Sequence, residues 1–399
     1  MSAVAAKPSS TPADLHSFRN DPAARCFNFS AGPGCLPEEV IQQAQQDLWN
    51  IAGSGVGICE HSHRAKVYDK VLAEAEADCR KIANIPASYK ILFLTGGATS
   101  QNYMVPANLL AQGDTADYLT TGYWAEKSAE QAKLYGTIHE AWDGRASKHS
   151  FIPADAEVKW SAKPSYVHMC SNNTIYGTEW RASETDASWR LPKVPAGVPL
   201  VCDMSSDLFC RPTDFTKFGL VYAGAQKNIG IAGTTLVVVH EDLLKRYESI
   251  VAADPRRELP SMLQYRVHAK DESRHNTPPV FAIYFSGLVF KWILKQGGLE
   301  AIFKRNVEKA QLIYDVLDKS SFYKAHARKD SRSLMNITFR CPTPELDDKF
   351  VAEAKAQGMD QLKGHRATGG MRASTYNAFP RAGCEALAQF MREFEKKNG

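Results

Sequence analysis

The sequence predicts an α/β protein: a large domain built on a mainly parallel, mixed sheet, followed by a smaller C-terminal α/β domain. Two observations carry this. Short apolar runs of strand length (KILFLTGG, DYLTTG, PSYVHMC, PLVCDMS, LVYAGAQK and TTLVVVH) alternate with helical patterns, as in sheets covered by helices on both faces. From about residue 296 the chain changes character, and helices with charged faces surround one short strand, LMNITFRC. The expected division is a flexible tail at residues 1–24, an N-terminal segment at 25–37 packing with the small domain, a large domain at 38–295 and a small domain at 296–399.

Each element has its own signal. The first 24 residues lack the apolar centre of a secretory leader. FNFSAGPGCLP, residues 27–37, reads as an extended segment ending in Gly and Pro turns. PEEVIQQAQQDLWNI then starts a helix. Pro37 suits its first position, Glu38 and Glu39 suit its positive end, and Val40, Ile41, Ala44, Leu48 and Ile51 form one apolar face. After the Gly-rich AGSGVGICEHSHR come a helical pattern over Lys66–Ile82, the run KILFLTGG and a helix from about Ser100. A polar stretch at 251–277 precedes PPVFAIYFSGLVFKWILK, a helix apolar nearly all round and therefore buried. The last helix shows Leu387, Phe390, Met391 and Phe394 at helical spacing.

The net charge of +4 over 399 residues gives no reason to expect nucleic acid or an acidic membrane as partner. No run of about 18 apolar residues suggests a membrane span. The nine cysteines are scattered, without a CxxC pair, which fits reduced thiols in the cytoplasm. Cys59, His61 and His63 would share one side of an extended segment, but no fourth ligand accompanies them, so no metal is expected.

In such sheets ligands bind where loops leave the carboxyl ends of strands. Lys227, in AGAQKNIGIAGTT, lies between apolar segments and beside Gly224, Ala225 and Gly230. A lysine desolvated there can act as an amine nucleophile and form a Schiff base. Alone, a lysine merely closing a strand is the commoner explanation. Asp203 shifts the balance: it ends the run PLVCD, 24 residues earlier, at a neighbouring strand end. A carboxylate there can keep a pyridinium nitrogen protonated, although it can also simply cap the turn MSSD. Acid and lysine together point to pyridoxal phosphate. TGGATSQN supplies a phosphate site through the backbone of Gly96, Gly97 and Ala98, the Thr99 hydroxyl and a following helix start. Trp124, where a strand gives way to a helix, can stack on the cofactor ring or pack as most tryptophans do. Thr174, in SNNTIYG, is placed to bond the ring oxygen, and Gln226 adjoins the lysine. Asn276 and Thr277, before Pro278 and Pro279, either cap the buried helix or donate to the phosphate from the same or a neighbouring subunit.

FNFSAGPG, SHR at 62–64, GYWAEKSA, CDMSSD, AGAQKNIG, NTPP with SGLVFKW, and GHRATGGMRASTYNA occur in that order over nearly the whole chain. On these motifs the sequence resembles the class V aminotransferases of fold type I, and within them the phosphoserine aminotransferase family. The resemblance implies a homodimer with two active sites at its interface, Asn276 and Thr277 reaching across to the cofactor phosphate. It implies Arg372 as the α-carboxylate contact, with Ser30 and Ala31 nearby. The distal anion would rest on His63, Arg64, His365 and Arg366, the last two from the partner subunit. The implied reaction passes an amino group from glutamate to 3-phosphohydroxypyruvate, giving 2-oxoglutarate and phosphoserine in serine biosynthesis. One pocket can serve both substrates because a guanidinium pairs with carboxylate or phosphate alike. The chain departs from the family in Ala98, where a third glycine is usual, and in Thr99, where bacterial relatives have arginine. Two rival readings are a class V cysteine desulfurase, with Cys341 of TFRCPTP as its nucleophile, and a scaffold without catalysis.

Overall fold

In the computed structural model, which describes residues 25–183 and 185–399, the chain starts with β1 (Phe27–Asn28), α1 (Glu38–Trp49) and α2 (Lys66–Ile82). The tail expected at residues 1–24 lies outside the described residues. Pro37 stands just before α1 as its N-cap rather than inside it, and Glu38 and Glu39 fill the first turn, where acidic side chains offset unpaired N–H groups. The expected apolar face holds only in part. Val40 and Ala44 are buried, but Leu48 is 44% exposed, because the helix ends at Asn50 in an extended conformation and Ile51 belongs to the next turn.

The alternating region follows: β2 (Tyr89–Leu94), α3 (Gly97–Leu109), β3 (Thr115–Thr120), α4 (Tyr123–Ala132), β4 (Thr137–Asp143) and β5 (Pro164–Cys170). The short pair β6 (Asn172–Asn173) and β7 (Thr178–Glu179) interrupts it before β8 (Leu200–Asp203), β9 (Leu220–Gly224) and β10 (Thr235–His240). Helices α5 (Glu241–Ala253), α6 (Tyr265–Lys270) and α7 (Val280–Lys295) come next, and then α8 (Gly298–Lys319), β11 (Lys324–Ala325), β12 (Asn336–Arg340), α9 (Pro344–Ala356), β13 (Met359–Asp360), β14 (Met371–Ser374) and α10 (Arg381–Asn398).

The main sheet has seven strands in the order β2-β10-β9-β8-β5-β3-β4. β10 runs antiparallel to both neighbours; the other pairs are parallel. Successive side chains of a strand point to opposite faces, and here both faces are covered. Ile91, Phe93, Val221, Ala223, Leu236 and Val238 join one core, with α2 and α7. Leu92, Leu94, Leu220, Tyr222, Val237 and Val239 join another, with Met104, Val105 and Leu109 of α3. This double covering is why the strands read as continuous apolar runs. α7 buries nine residues, as its all-round apolar pattern requires.

A third core gathers residues from Phe303 onward with Phe29 and Cys210. β11, β12 and β14 form an antiparallel sheet beside it. β1 pairs in parallel with β13, Phe27 opposite Met359, and Phe29 packs on Phe379 with ring centroids 4.5 Å apart. These contacts anchor the N-terminal segment, so that residues 30–34 pass between β14 and the turn after β9. Among the described residues, no helix is long and apolar enough to cross a membrane.

Candidate active site

A cavity of about 360 Å3 opens at the carboxyl ends of β5, β8 and β9. Because β8 and β9 are parallel neighbours, Asp203 at the end of one and Lys227 in the turn beyond the other both line it. Lys227 Nζ donates to Thr174 Oγ1 at 2.8 Å. Burial pulls the Lys227 ammonium below its ordinary pKa, and Asp203 opposes that shift. Burial pushes the Asp203 carboxyl up, while bonds from Ser205 and the charge of Lys227 hold it down. The Ser205 N–H donates to Asp203 Oδ1 at 2.8 Å, so Asp203 caps its turn and lines the cavity at once.

The start of α3 forms the facing wall through Gly97, Ala98 and Thr99. Its first turn holds no acidic side chain, so its free N–H groups and positive dipole end present an anion site. Gly96 makes the turn: its φ is +95°, and a Cβ there would lie 2.8 Å from Ser100 Cβ. Trp124, 40% exposed, lines the cavity from α4.

Residues 30–34 close another side. Gly34 N–H donates to Gln226 O at 2.7 Å, and a Cβ at Gly34 would meet Tyr376 Cδ2 at 2.6 Å. Tyr376 in turn donates to Ala31 O at 2.5 Å. Arg372 enters from β14 and donates to Thr174 O at 3.4 Å. The chain between β13 and β14 folds back on itself, with Lys363 bridging to Met371 and Gly364 N–H bonding Gly370 O at 2.8 Å. That return sets His365 in the cavity with Arg372. Burial, Arg372 and Arg366 together lower the pKa of His365.

The cavity thus unites Ala98, Thr99, Trp124, Thr174, Asp203, Gln226, Lys227, His365 and Arg372. His365 reaches it from its own chain, which corrects the expectation that it comes from a partner. Ser30 stays just outside, its N–H bonded to Asn28 Oδ1, while Ala31 and Gly32 line the wall. His63, Arg64, Asn276, Thr277 and Arg366 are not brought in. Asn276 and Thr277 do not cap the buried helix either: Pro279 is the N-cap of α7, without a side-chain bond. His61 pairs with Ser54 at 3.0 Å. Among the described residues, the group of acidic, Cys or His side chains close enough to hold an ion is Glu179, Asp207 and Cys210, not the Cys59 segment.

Sequence reasoning missed Asn102, Cys170, Asn172, Ser205 and Ser206, which also line the cavity. Ser205 and Ser206 stand within CDMSSD, and Asn172 stands two residues before Thr174, so proximity to marked residues was the available signal.

The class-V aminotransferase family model matches residues 26–387. The chain belongs to the class-V aminotransferases. It is 47% identical, over 94% of its length and 99% of the relative's, to the phosphoserine aminotransferase of Herpetosiphon aurantiacus, and equally similar to that of Lysinibacillus sphaericus. Phosphoserine aminotransferase from Bacillus circulans subsp. alkalophilus superimposes with a TM-score of 0.87 at 45% identity, covering 94% of this chain and 99% of that one. Phosphoserine aminotransferase from Trichomonas vaginalis, solved with pyridoxal phosphate bound, superimposes with a TM-score of 0.84 at 34% identity, covering 92% and 100%. Within the class, the chain is a member of the phosphoserine aminotransferase group.

Proposed function

We propose that this chain catalyses reversible amino transfer from glutamate to 3-phosphohydroxypyruvate, giving 2-oxoglutarate and phosphoserine for serine biosynthesis. The observation that carries the proposal is a single cavity holding a buried amine, a strand-end carboxylate, an open helix N-terminus and an arginine.

These residues fit pyridoxal phosphate. The first turn of α3 and the Thr99 hydroxyl would hold the phosphate, Trp124 would cover one ring face, Asp203 would face the ring nitrogen, and Thr174 the ring oxygen. The bound cofactor supplies an electron sink that lets the Cα–H bond of the amino acid break. The chain does the rest. Arg372 binds the α-carboxylate and fixes which Cα bond faces Lys227. Lys227 Nζ takes the Cα proton from the incoming amino acid and returns one to the Cα of the product. Its lowered pKa suits it, because a free amine is the form that accepts a proton. Asp203 balances positive charge at the far end.

Both substrates carry a second anionic group, and His365, which lines the cavity with Arg372, can donate a ring N–H to it. We propose that His63 and Arg64 of a second subunit complete that contact, with Asn276 and Thr277 reaching across to the cofactor phosphate. The surface preceding His63 supports a homodimer: Trp49 is 85% exposed, Leu48 and Val56 of the same chain segment are exposed too, and large apolar side chains left in water mark an interface. The nine cysteines, all unpaired, suit a reducing cytoplasm. The division into a large domain at 38–295 and a small one at 296–399 is part of the same proposal, and the change of core between Ile302 and Phe303 supports it.

The desulfurase reading is the weaker one. Cys341 is buried, its thiol pushed up to about 12 by burial and by Asp347, and it is not among the cavity residues. The deciding experiment supplies the pyridoxal-phosphate-loaded protein with glutamate and 3-phosphohydroxypyruvate, and separately with cysteine. Phosphoserine formation is expected; sulfide release without phosphoserine would sink the proposal.

A further inference from the structure

Behind Asp203 lies a closed polar cluster formed by Ser171, Glu179, Asp207 and Arg211, all buried. Arg211 Nη2 stands 3.4 Å from Glu179 Oε1 and 3.9 Å from Asp207 Oδ2, and it donates to Trp180 O at 2.8 Å. The guanidinium also lies over the Trp189 ring, 3.7 Å from its centroid. Glu179 Oε2 accepts the Leu334 N–H at 2.7 Å, as an ionised carboxylate does. One guanidinium therefore faces two carboxylates, with no solvent to screen them. If both were ionised, two buried carboxylates would repel each other across the one guanidinium they share, Arg211, which is disfavoured. A single proton makes the cluster neutral.

Ser171 indicates where that proton sits. Its hydroxyl oxygen lies 3.0 Å from the backbone oxygen of Asp203 and also contacts Asp207 Oδ1. A hydroxyl has one hydrogen to donate and lone pairs to accept with. Both contacts are hydrogen bonds at once only when Ser171 donates to Asp203 O and Asp207 donates to Ser171 Oγ. Burial and the charge of Glu179 act in the same direction, pushing the Asp207 carboxyl up to about 8.

We propose that Asp207 is a positioning residue, held protonated, that relays a hydrogen bond through Ser171 to the main chain of Asp203 and leaves the negative charge beneath the cofactor to Asp203. The Ser171 N–H bonds the same Asp203 oxygen at 3.0 Å, so the peptide that presents the catalytic carboxylate is gripped twice. A second ionised carboxylate at Asp207 would raise the proton affinity of Asp203 and favour the uncharged carboxyl there. The inference rests on the reading that the cavity binds pyridoxal phosphate.

The test compares the cofactor dissociation constants of the wild type, Asp207→Asn and Asp207→Ala, alongside isotope-edited infrared spectra of the aspartate-labelled holoenzyme. Asparagine is neutral, can donate to Ser171 and can face Arg211 with its oxygen. Asp207→Asn should therefore hold the cofactor within about threefold of the wild type, while Asp207→Ala, lacking the donor, should weaken it about tenfold. The wild type at neutral pH should show a protonated-carboxyl band that Asp207→Asn lacks. Loss of the cofactor by Asp207→Asn as severe as in Asp207→Ala would show that an ionised carboxylate is needed, and wild-type binding by Asp207→Ala would remove the positioning role. Absence of the band in the wild type overturns the proposal even if neither variant folds. Failure of the wild type to bind the cofactor at all would instead sink the reading of the cavity.

Discussion

Lys227 Nζ and Thr174 Oγ1 are 2.8 Å apart, a bond between the turn after β9 and the loop joining β6 to β7. It holds the amine on Thr174, while the Asp203 carboxylate is held by Ser205. In the proposed site, amine and acid serve different ends of one ligand. Lys227→Ala should keep the fold, judged by circular dichroism, but lose the visible absorption that appears on adding pyridoxal phosphate. Its amino transfer should fall by at least about 100-fold, the lower range for a lost proton-transfer group. Full activity in this variant would defeat the assignment.

Arg372 is half-buried on β14 and anchored to Thr174 O at 3.4 Å, while His365 lines the same cavity. The α-carboxylate is common to glutamate and phosphoserine, so a contact with it must serve both. Arg372→Ala should raise KM for each by about 10- to 100-fold, the loss of one or two charge-assisted hydrogen bonds. A change for one substrate alone would move the α-carboxylate contact to another residue.

Lys309 is buried on α8 and donates to Thr375 O, Tyr376 O and Phe379 O at 3.0, 2.7 and 3.2 Å. It closes the turn between β14 and α10 and so supports Tyr376 against Ala31. Lys309→Met should cost about 1–3 kcal/mol at neutral pH, read from urea unfolding. Burial depresses the Lys309 pKa from 10.5 to about 8. Between those values the unfolded chain binds more protons than the folded one, so this lysine adds stability as pH rises from 8 toward 10.5 and loses it as pH falls back through 8. The stability gap between wild type and Lys309→Met should therefore widen with pH in that window; a gap that narrows would contradict the depressed pKa.

Lys227 and Asp203 were legible in the sequence because each directly follows an apolar run, and two parallel neighbouring strands place their carboxyl ends side by side. The same alternation gave the sheet and α7. His365 was legible only as a residue type. Its position depends on the backbone return between Lys363 and Met371, for which no periodic pattern exists. Leu48 followed helical spacing yet faces water, because the helix stops two residues later. Of the cluster of Ser171, Glu179, Asp207 and Arg211, Asp207 stood within the marked motif CDMSSD, whereas Glu179 lies in β7, too short at two residues for alternation to show.

Trp49, 85% exposed, lies on the chain segment that leads to His63 and Arg64, and neither of those cations reaches the cavity of its own chain. If a twofold dimer buries Trp49, it carries His63 and Arg64 toward the partner's cavity, and each site draws its amine and its distal cation from different chains. Lys227→Ala and Arg64→Ala homodimers should then both be impaired, for different reasons. Co-expressed, the two chains form mixed dimers in which one site has lost both groups and the other has regained both. With random pairing, half the dimers are mixed and each holds one intact site, so turnover should recover to about a quarter of the wild type. Placing both substitutions on one chain, paired with wild-type chains, is the control: its mixed dimers, separated from the homodimers by differential tags, hold two half-damaged sites and no intact one, so they should stay impaired. Recovery in the control but not in the separated pair would show that Arg64 serves the cavity of its own chain.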